Sequence, residues 1–180
     1  YTMMDPAYPS SRIVTCLDIA QPKAWIQIQE AGQPPQDLQT YLHTLPLKCS
    51  ITLPPIPSPD ADALFAAAPA TLPPVEIHPD HTAVVTFTSG STGIPKGVMG
   101  RHVPLTHFYP WMAQRFGLSE KDRFSMCSGI AHDPLQRDIF TPLFFGAPIY
   151  IPTSDDISTP GRLAEWMLEA QITVSCLTPA

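Results

Sequence analysis

Apolar residues recur along the chain at helical and at strand spacings, and the switches between them set out the elements. Near the start, Ile13 and Leu17, with Ile19, fall on one side of a helix that Ser10 and Ser11 can cap and Pro22 stops. Residues 24–29 then alternate as a strand does; 36–43 read as a short helix and 49–53 as a short strand. Residues 83–88 (AVVTFT) are apolar and β-branched, the mark of a buried strand, and 97–102 resume an extended chain. A helix over 105–116 follows, kinked by Pro110 and stopped by Gly117. Residues 119–122 make a turn, and 123–127 a strand. Asp133 is placed to cap a helix with Pro134 as its first residue, running to Phe145 and ending at Gly146. A strand over 147–151 comes next. Thr159 is placed to cap a helix opened by Pro160, with Leu163, Trp166, Met167 and Ala170 on one face, before a last strand over 172–177.

Helices alternating with short apolar strands predict an α/β fold, with mixed or parallel sheets joined by helical crossovers. The 180 residues suit one domain or a large part of one, and 44% apolar content is enough for a core. Many of the 23 prolines fall between Pro46 and Pro79, so no long helix is expected there. Residues 54–80 read as a proline- and alanine-rich connector, extended except for a short helix around 61–67. A net charge of -6 argues against a protein that grips a nucleic-acid backbone, but does not touch a local site for a small anion. No apolar run reaches the length of a membrane span. Cys16, Cys49, Cys127 and Cys176 are scattered, which suits reduced thiols in the cytoplasm. The chain opens on Tyr1 and stops just past a predicted strand, and so reads as part of something longer.

The chemistry is concentrated at Phe87-Thr88-Ser89-Gly90-Ser91-Thr92-Gly93-Ile94-Pro95-Lys96-Gly97, directly after the apolar strand. Glycines permit left-handed turns and close approach to a ligand, and successive N–H groups in such turns form an anion nest. Thr88, Ser89, Ser91 and Thr92 add hydroxyl donors, and Lys96 a positive charge that Pro95 stiffens. The Walker loop is excluded, because Lys96 is followed by Gly97 and not by Ser or Thr.

Residues 88–97, TSGSTGIPKG, resemble the signature of the adenylate-forming superfamily: acyl-CoA synthetases, luciferases and peptide-synthetase adenylation domains. Two further segments fit in order: Asp5-Pro-Ala-Tyr-Pro-Ser-Ser-Arg12, similar to a DPxxPxxR element, and Ser119-Glu-Lys-Asp-Arg123, similar to an SxxDR turn. The resemblance implies that Thr88, Ser89, Gly90, Ser91, Thr92, Gly93, Lys96 and Gly97 hold the ATP phosphates, with Mg²⁺, while a carboxylate attacks the α-phosphorus. Lys96 would help to place the leaving pyrophosphate.

His132-Asp133-Pro134-Leu135-Gln136-Arg137 stands where amino-acid-activating relatives carry an aromatic-Asp pair that lines the acyl pocket. On a helix, Asp133 and Arg137 would share a face, either as a surface ion pair or as partners for a substrate ammonium and carboxylate. The segment and its continuation FTPLFFGAPIYIPT closely resemble the fungal aminoadipate-reductase branch. That branch adenylates the distal carboxyl of L-2-aminoadipate, passes it to a phosphopantetheine thiol on a carrier domain and reduces it with NADPH, in lysine biosynthesis. The resemblance assigns His132 to the pocket wall or a gate for the thiol, and Asp133, Pro134 and Arg137 to the substrate. The carrier and reductase domains, the adenine-clasping elements and a second catalytic lysine are not in these residues, so the segment alone is expected to be inactive. A peptide-synthetase or acyl-CoA ligase module for another acid, and a non-catalytic nucleotide-binding or scaffold segment, are the alternatives. No histidine has the spacing of a metal ligand.

Overall fold

Prolines and glycines punctuate the chain, and its elements form between them. The computed structural model describes residues 1–89 and 93–177. By their contacts these fall into two units. One holds Met4–His78 with Thr88–Gly97; the other holds Tyr1–Met3, Pro79–Phe87 and the chain from Val98 on.

In the first unit, α1 (Ser10–Ala20) and α2 (Gln36–Leu42) close over Ile13, Leu17 and Leu38, with Tyr8, Trp25 and Tyr41 around them. The expected serine cap does not form. Pro9 precedes α1, and Ser10, already helical, donates its hydroxyl to Asp37 Oδ2 at 2.6 Å. That bond holds the Asp37 carboxyl below its usual range and ties α1 to α2. Ile19, expected on the apolar side, is exposed. Gln21 leaves the helix in the left-handed region, φ 45°, and Pro22 prevents its continuation. β1 (Ala24–Ile28) pairs in parallel with β2 (Cys49–Leu53), Ala24 opposite Cys49. Parallel strands need a crossover, which α2 supplies. Ser58 caps α3 (Pro59–Ala66), its Oγ accepting from the Ala61 amide. Residues 67–78 form no helix or strand and are exposed throughout.

Most of β3 (Thr82–Thr88) and of β4 (Lys96–Arg101) belongs to the second unit, and the two strands lie side by side. The Tyr1 backbone nitrogen donates to Ala83 O, and Val85 N to Tyr1 O. Gly100 approaches so closely that a Cβ there would lie 2.8 Å from Val84 Cγ1. The strand is less buried than its composition implies: Val84 alone is fully covered, because a two-stranded pair leaves backbone and side chains open to water. α4 (His102–Phe116) starts three residues early, since Pro104 falls in the first turn, where its missing N–H is harmless. It runs through Pro110 and ends at Gly117, φ 64°.

β5 (Phe124–Ser125) and β6 (Ile149–Tyr150) pair in parallel across α5 (Leu135–Phe145), and Val174 bridges Phe124. The strands expected over 123–127, 147–151 and 172–177 thus shrink to two dipeptides and one bridge. The backbone leaves the ladder early: the Ser128 amide donates to the Asp138 carboxylate, not to a neighbouring strand. Two helix starts also differ. Pro134 occupies the cap position of α5, and Asp133 lies in the turn before it. Thr153 caps a helix that the pattern did not reveal, α6 (Ser154–Ser158), in a reciprocal box with Asp156. α7 (Arg162–Glu169) begins after Gly161, whose φ of 83° lets the chain reverse and takes the cap position from Thr159. Leu163, Trp166, Met167 and Ala170 share its half-buried face, as the spacing predicts.

The SxxDR turn has a structural task. Asp122 Oδ2 accepts from the Ser119 amide at 2.8 Å, and Oδ1 from the Thr173 hydroxyl at 2.8 Å. Arg123 donates Nε to Ala170 O at 2.7 Å and lies 4.2 Å above the Tyr150 ring. One short motif therefore fixes the end of α7 and the Val174 bridge.

Candidate functional site

Two features stand out. The first is the loop between β3 and β4. Thr88, exposed, ends one strand, and Lys96, exposed, opens its neighbour. These two residues thus bracket the loop from adjacent strands. Ser89 follows Thr88 into solvent. Gly93 has a φ of 80° and nothing within 4 Å of where a Cβ would stand, so backbone there is open to a ligand. The exposed Thr88 and Ser89 hydroxyls, the Lys96 ammonium and the left-handed backbone at Gly93 are groups of a kind that can face an anion. The expectations for Gly90, Ser91 and Thr92 lie outside the described residues.

The second feature is a cavity of about 230 Å³ in the second unit. Val84 and Val85 of β3 and Leu135, Ile139 and Phe140 of α5 give it mostly apolar walls. His132 and Gln136 stand among its few polar groups. His132 is held by its amide, which donates to Gly129 O at 2.9 Å, while its ring is exposed.

Asp133 is exposed and does not line this cavity, nor does Pro134. Arg137 faces a second, smaller cavity beside Asp138, Thr141 and Cys176, with its Nε 3.8 Å from Asp138 Oδ1. Among the described residues the ion pair within 4 Å that Arg137 makes is with Asp138, not with Asp133. Because α5 starts at Leu135, Asp133 precedes the helix, and the four-residue spacing does not put both on one face. Burial pushes the Cys176 thiol up, with Arg137 opposing, so this cysteine is a weak nucleophile.

Gln136, Tyr1 and Met3 line the larger cavity without having been singled out by sequence. For Gln136 a signal exists: residues 132, 135, 136, 139 and 140 recur at helical spacing. Tyr1 and Met3 join through pairing with a strand some eighty residues away, which no local pattern reports.

The family model described as AMP-binding enzyme matches residues 1–180. The chain is 47% identical over 195 residues to the L-2-aminoadipate reductase large subunit of Candida glabrata, covering 100% of this chain and 14% of that protein. It is 45% identical over 193 residues to L-2-aminoadipate reductase of Saccharomyces cerevisiae, again covering 100% and 14%. The dimodular nonribosomal peptide synthase of Bacillus subtilis is more distant, at 32% identity over 99% of this chain and 7% of its own length. The chain thus spans about a seventh of the reductases it matches. Among solved structures, ATP-bound MatB from Rhodopseudomonas palustris superposes with a TM-score of 0.72 at 19% identity, over 97% of this chain and 33% of that one, and shows the fold. The nonribosomal peptide synthetase FmoA3, bound to alpha-methyl-L-serine-AMP, gives 0.72 at 27% identity, over 96% and 17%. Motif, strand–loop–strand geometry and these likenesses converge: the chain belongs to the AMP-binding enzyme family.

Proposed function

We propose that these residues are part of the adenylation domain of an L-2-aminoadipate reductase. The protein that carries them would activate the δ-carboxyl of L-2-aminoadipate with ATP, as an acyl-adenylate, for transfer to a phosphopantetheine thiol and reduction with NADPH. The observation that carries the adenylation reading is the placement of Thr88 and Lys96 on neighbouring strand ends, bracketing a glycine-rich loop. The choice of acid is supported by the reductases, which match every residue of the chain at 45–47% identity.

The described residues fit a triphosphate: exposed Thr88 and Ser89 hydroxyls, an open backbone at Gly93 and the Lys96 ammonium. ATP supplies the electrophilic α-phosphorus. The chain's own part is to hold the β- and γ-phosphates, with Gly90, Ser91, Thr92 and Gly97 completing the cradle, and to offset charge as pyrophosphate departs. Mg²⁺ would accompany the phosphates; no ligand for it is assigned among these residues. His132 would form the pocket wall or a gate for the carrier thiol, and Pro134 part of the acyl pocket. Arg137 would take a substrate carboxylate in bidentate fashion and Asp133 its ammonium. If they act together, the substrate must span from the exposed turn to the inner face of α5. The carrier domain of the same protein is the proposed partner, and the cytoplasm the proposed location. Among the described residues no helix is long and apolar enough to cross a membrane.

Carboxylate-dependent ATP–pyrophosphate exchange by the protein that carries this chain tests the reading. L-2-aminoadipate should drive exchange well above other amino acids and fatty acids, and Lys96→Ala should slow it about tenfold to a thousandfold. Faster exchange with another acid would move the protein to a different ligase class. Exchange indifferent to Lys96 would remove the phosphate role.

A further inference from the structure

Asp138 and Thr141 lie three residues apart on α5, hence on one face, and are 3% and 1% exposed. Asp138 Oδ2 accepts the Ser128 amide at 3.1 Å. Its other oxygen, Oδ1, is buried with no hydrogen-bond partner among the described residues. The nearest cationic nitrogen, Arg137 Nε, stands 3.8 Å away, beyond hydrogen-bond length, and is itself buried without an acceptor. Thr141 Oγ1 is in the same condition. Buried polar atoms, a carboxylate oxygen above all, are strongly disfavoured without partners. All three residues line one cavity of about 10 Å³, whose other walls include Met112, Phe124 and Val174.

We infer that this cavity is a binding site for a single ordered water, which bridges Asp138, Arg137 and Thr141. The volume is about that of one probe sphere, the least that holds a water. The three atoms ask for a donor, an acceptor and a group that can be either. Water, with two donors and two acceptors, donates to Asp138 Oδ1, accepts from Arg137 Nε–H and exchanges a third bond with the Thr141 hydroxyl. A metal cation is the poorer occupant: it would serve the two oxygens but repel the guanidinium and leave Nε–H bare. The bridge converts an ion pair too long for direct contact into a bonded network. It takes only Nε of Arg137, so the inference stands apart from the substrate proposed above.

Thr141→Val separates the possibilities by sign, because valine keeps the shape and removes the hydroxyl. With a bridging water, Thr141→Val lowers the denaturation midpoint of the protein that carries this chain, and Thr141→Ser restores most of the loss. With no water, exchanging a bare hydroxyl for a methyl leaves the midpoint unchanged or raises it, and the inference fails. Should Thr141→Val not fold, a crystal structure of the unmodified protein at a resolution that shows ordered water decides. A peak at about 2.7–3.2 Å from Asp138 Oδ1, Thr141 Oγ1 and Arg137 Nε supports the site. A direct Arg137–Asp138 bond without such a peak, or an anomalous signal from a cation there, overturns it.

Discussion

Tyr109 shows how one buried side chain sets a measurable property. It lies on α4, 7% exposed, and its hydroxyl has no hydrogen-bond partner among the described residues. Burial, with a smaller push from Tyr1, raises its phenol to about 12. A raised folded-state pKa means that the fold favours the protonated phenol. That contribution is complete below the ordinary value of 10.0 and is lost as pH climbs from there towards 12. Tyr109→Phe removes a hydroxyl that has no protein partner among the described residues and lines no cavity assigned to water, so at pH 8 its stability should match the parent or exceed it by up to about 1 kcal/mol. Its alkaline loss of stability should also be smaller. Denaturant titrations at pH 8 and pH 11 check both statements; a clear loss at pH 8 would mean that the hydroxyl has a partner. Residue chemistry of this sort was not legible in the sequence, because it depends on what folds around the ring. The places of Thr88 and Lys96 at two strand ends were legible, since they follow from neighbours along the chain.

At the scale of elements, composition located the segments and tertiary partners decided their ends. Residues 49–53 form β2 as the pattern predicts, because strand alternation there meets a parallel partner in register. The caps were less legible. Thr159, expected to cap the helix opened by Pro160, yields that position to Gly161, while Thr153 caps α6, where Asp156 completes the reciprocal box and then accepts Arg162 Nε at 3.0 Å. Thr153→Ala should therefore cost about 1 kcal/mol. Thr159→Ala should stay within about 0.5 kcal/mol of the parent, which paired thermal melts can measure. The Asp156 carboxyl is held below its usual range, first by the Thr153 hydroxyl and then by the Thr153 amide. Its contribution is present above the ordinary carboxylate range and fades as pH falls through the lowered value, so the gap between parent and Thr153→Ala should narrow in acid. Equal melting of the two threonine variants would contradict the assignment. Asp133 illustrates the same lesson at the site: an i,i+4 argument holds only if both residues are helical, and α5 begins two residues too late.

For the whole molecule, β3 leads along the chain from the cavity wall to the start of the glycine-rich loop. Val84 and Val85 wall the cavity, and Thr88 closes the strand where the loop begins. The fold class was legible because alternating helices and strands leave few ways to build a sheet. The cavity was not, because it joins α5 to β3 and to Tyr1 across most of the chain. The central claim is that the loop after β3 receives the triphosphate of ATP. A crystal structure of the protein that carries this chain, bound to ATP or a non-hydrolysable analogue, tests it most directly. The β- and γ-phosphates should lie within hydrogen-bond reach of the Ser89 hydroxyl and the Lys96 ammonium. A well-ordered triphosphate bound elsewhere, with Ser89 and Lys96 facing solvent, would contradict it.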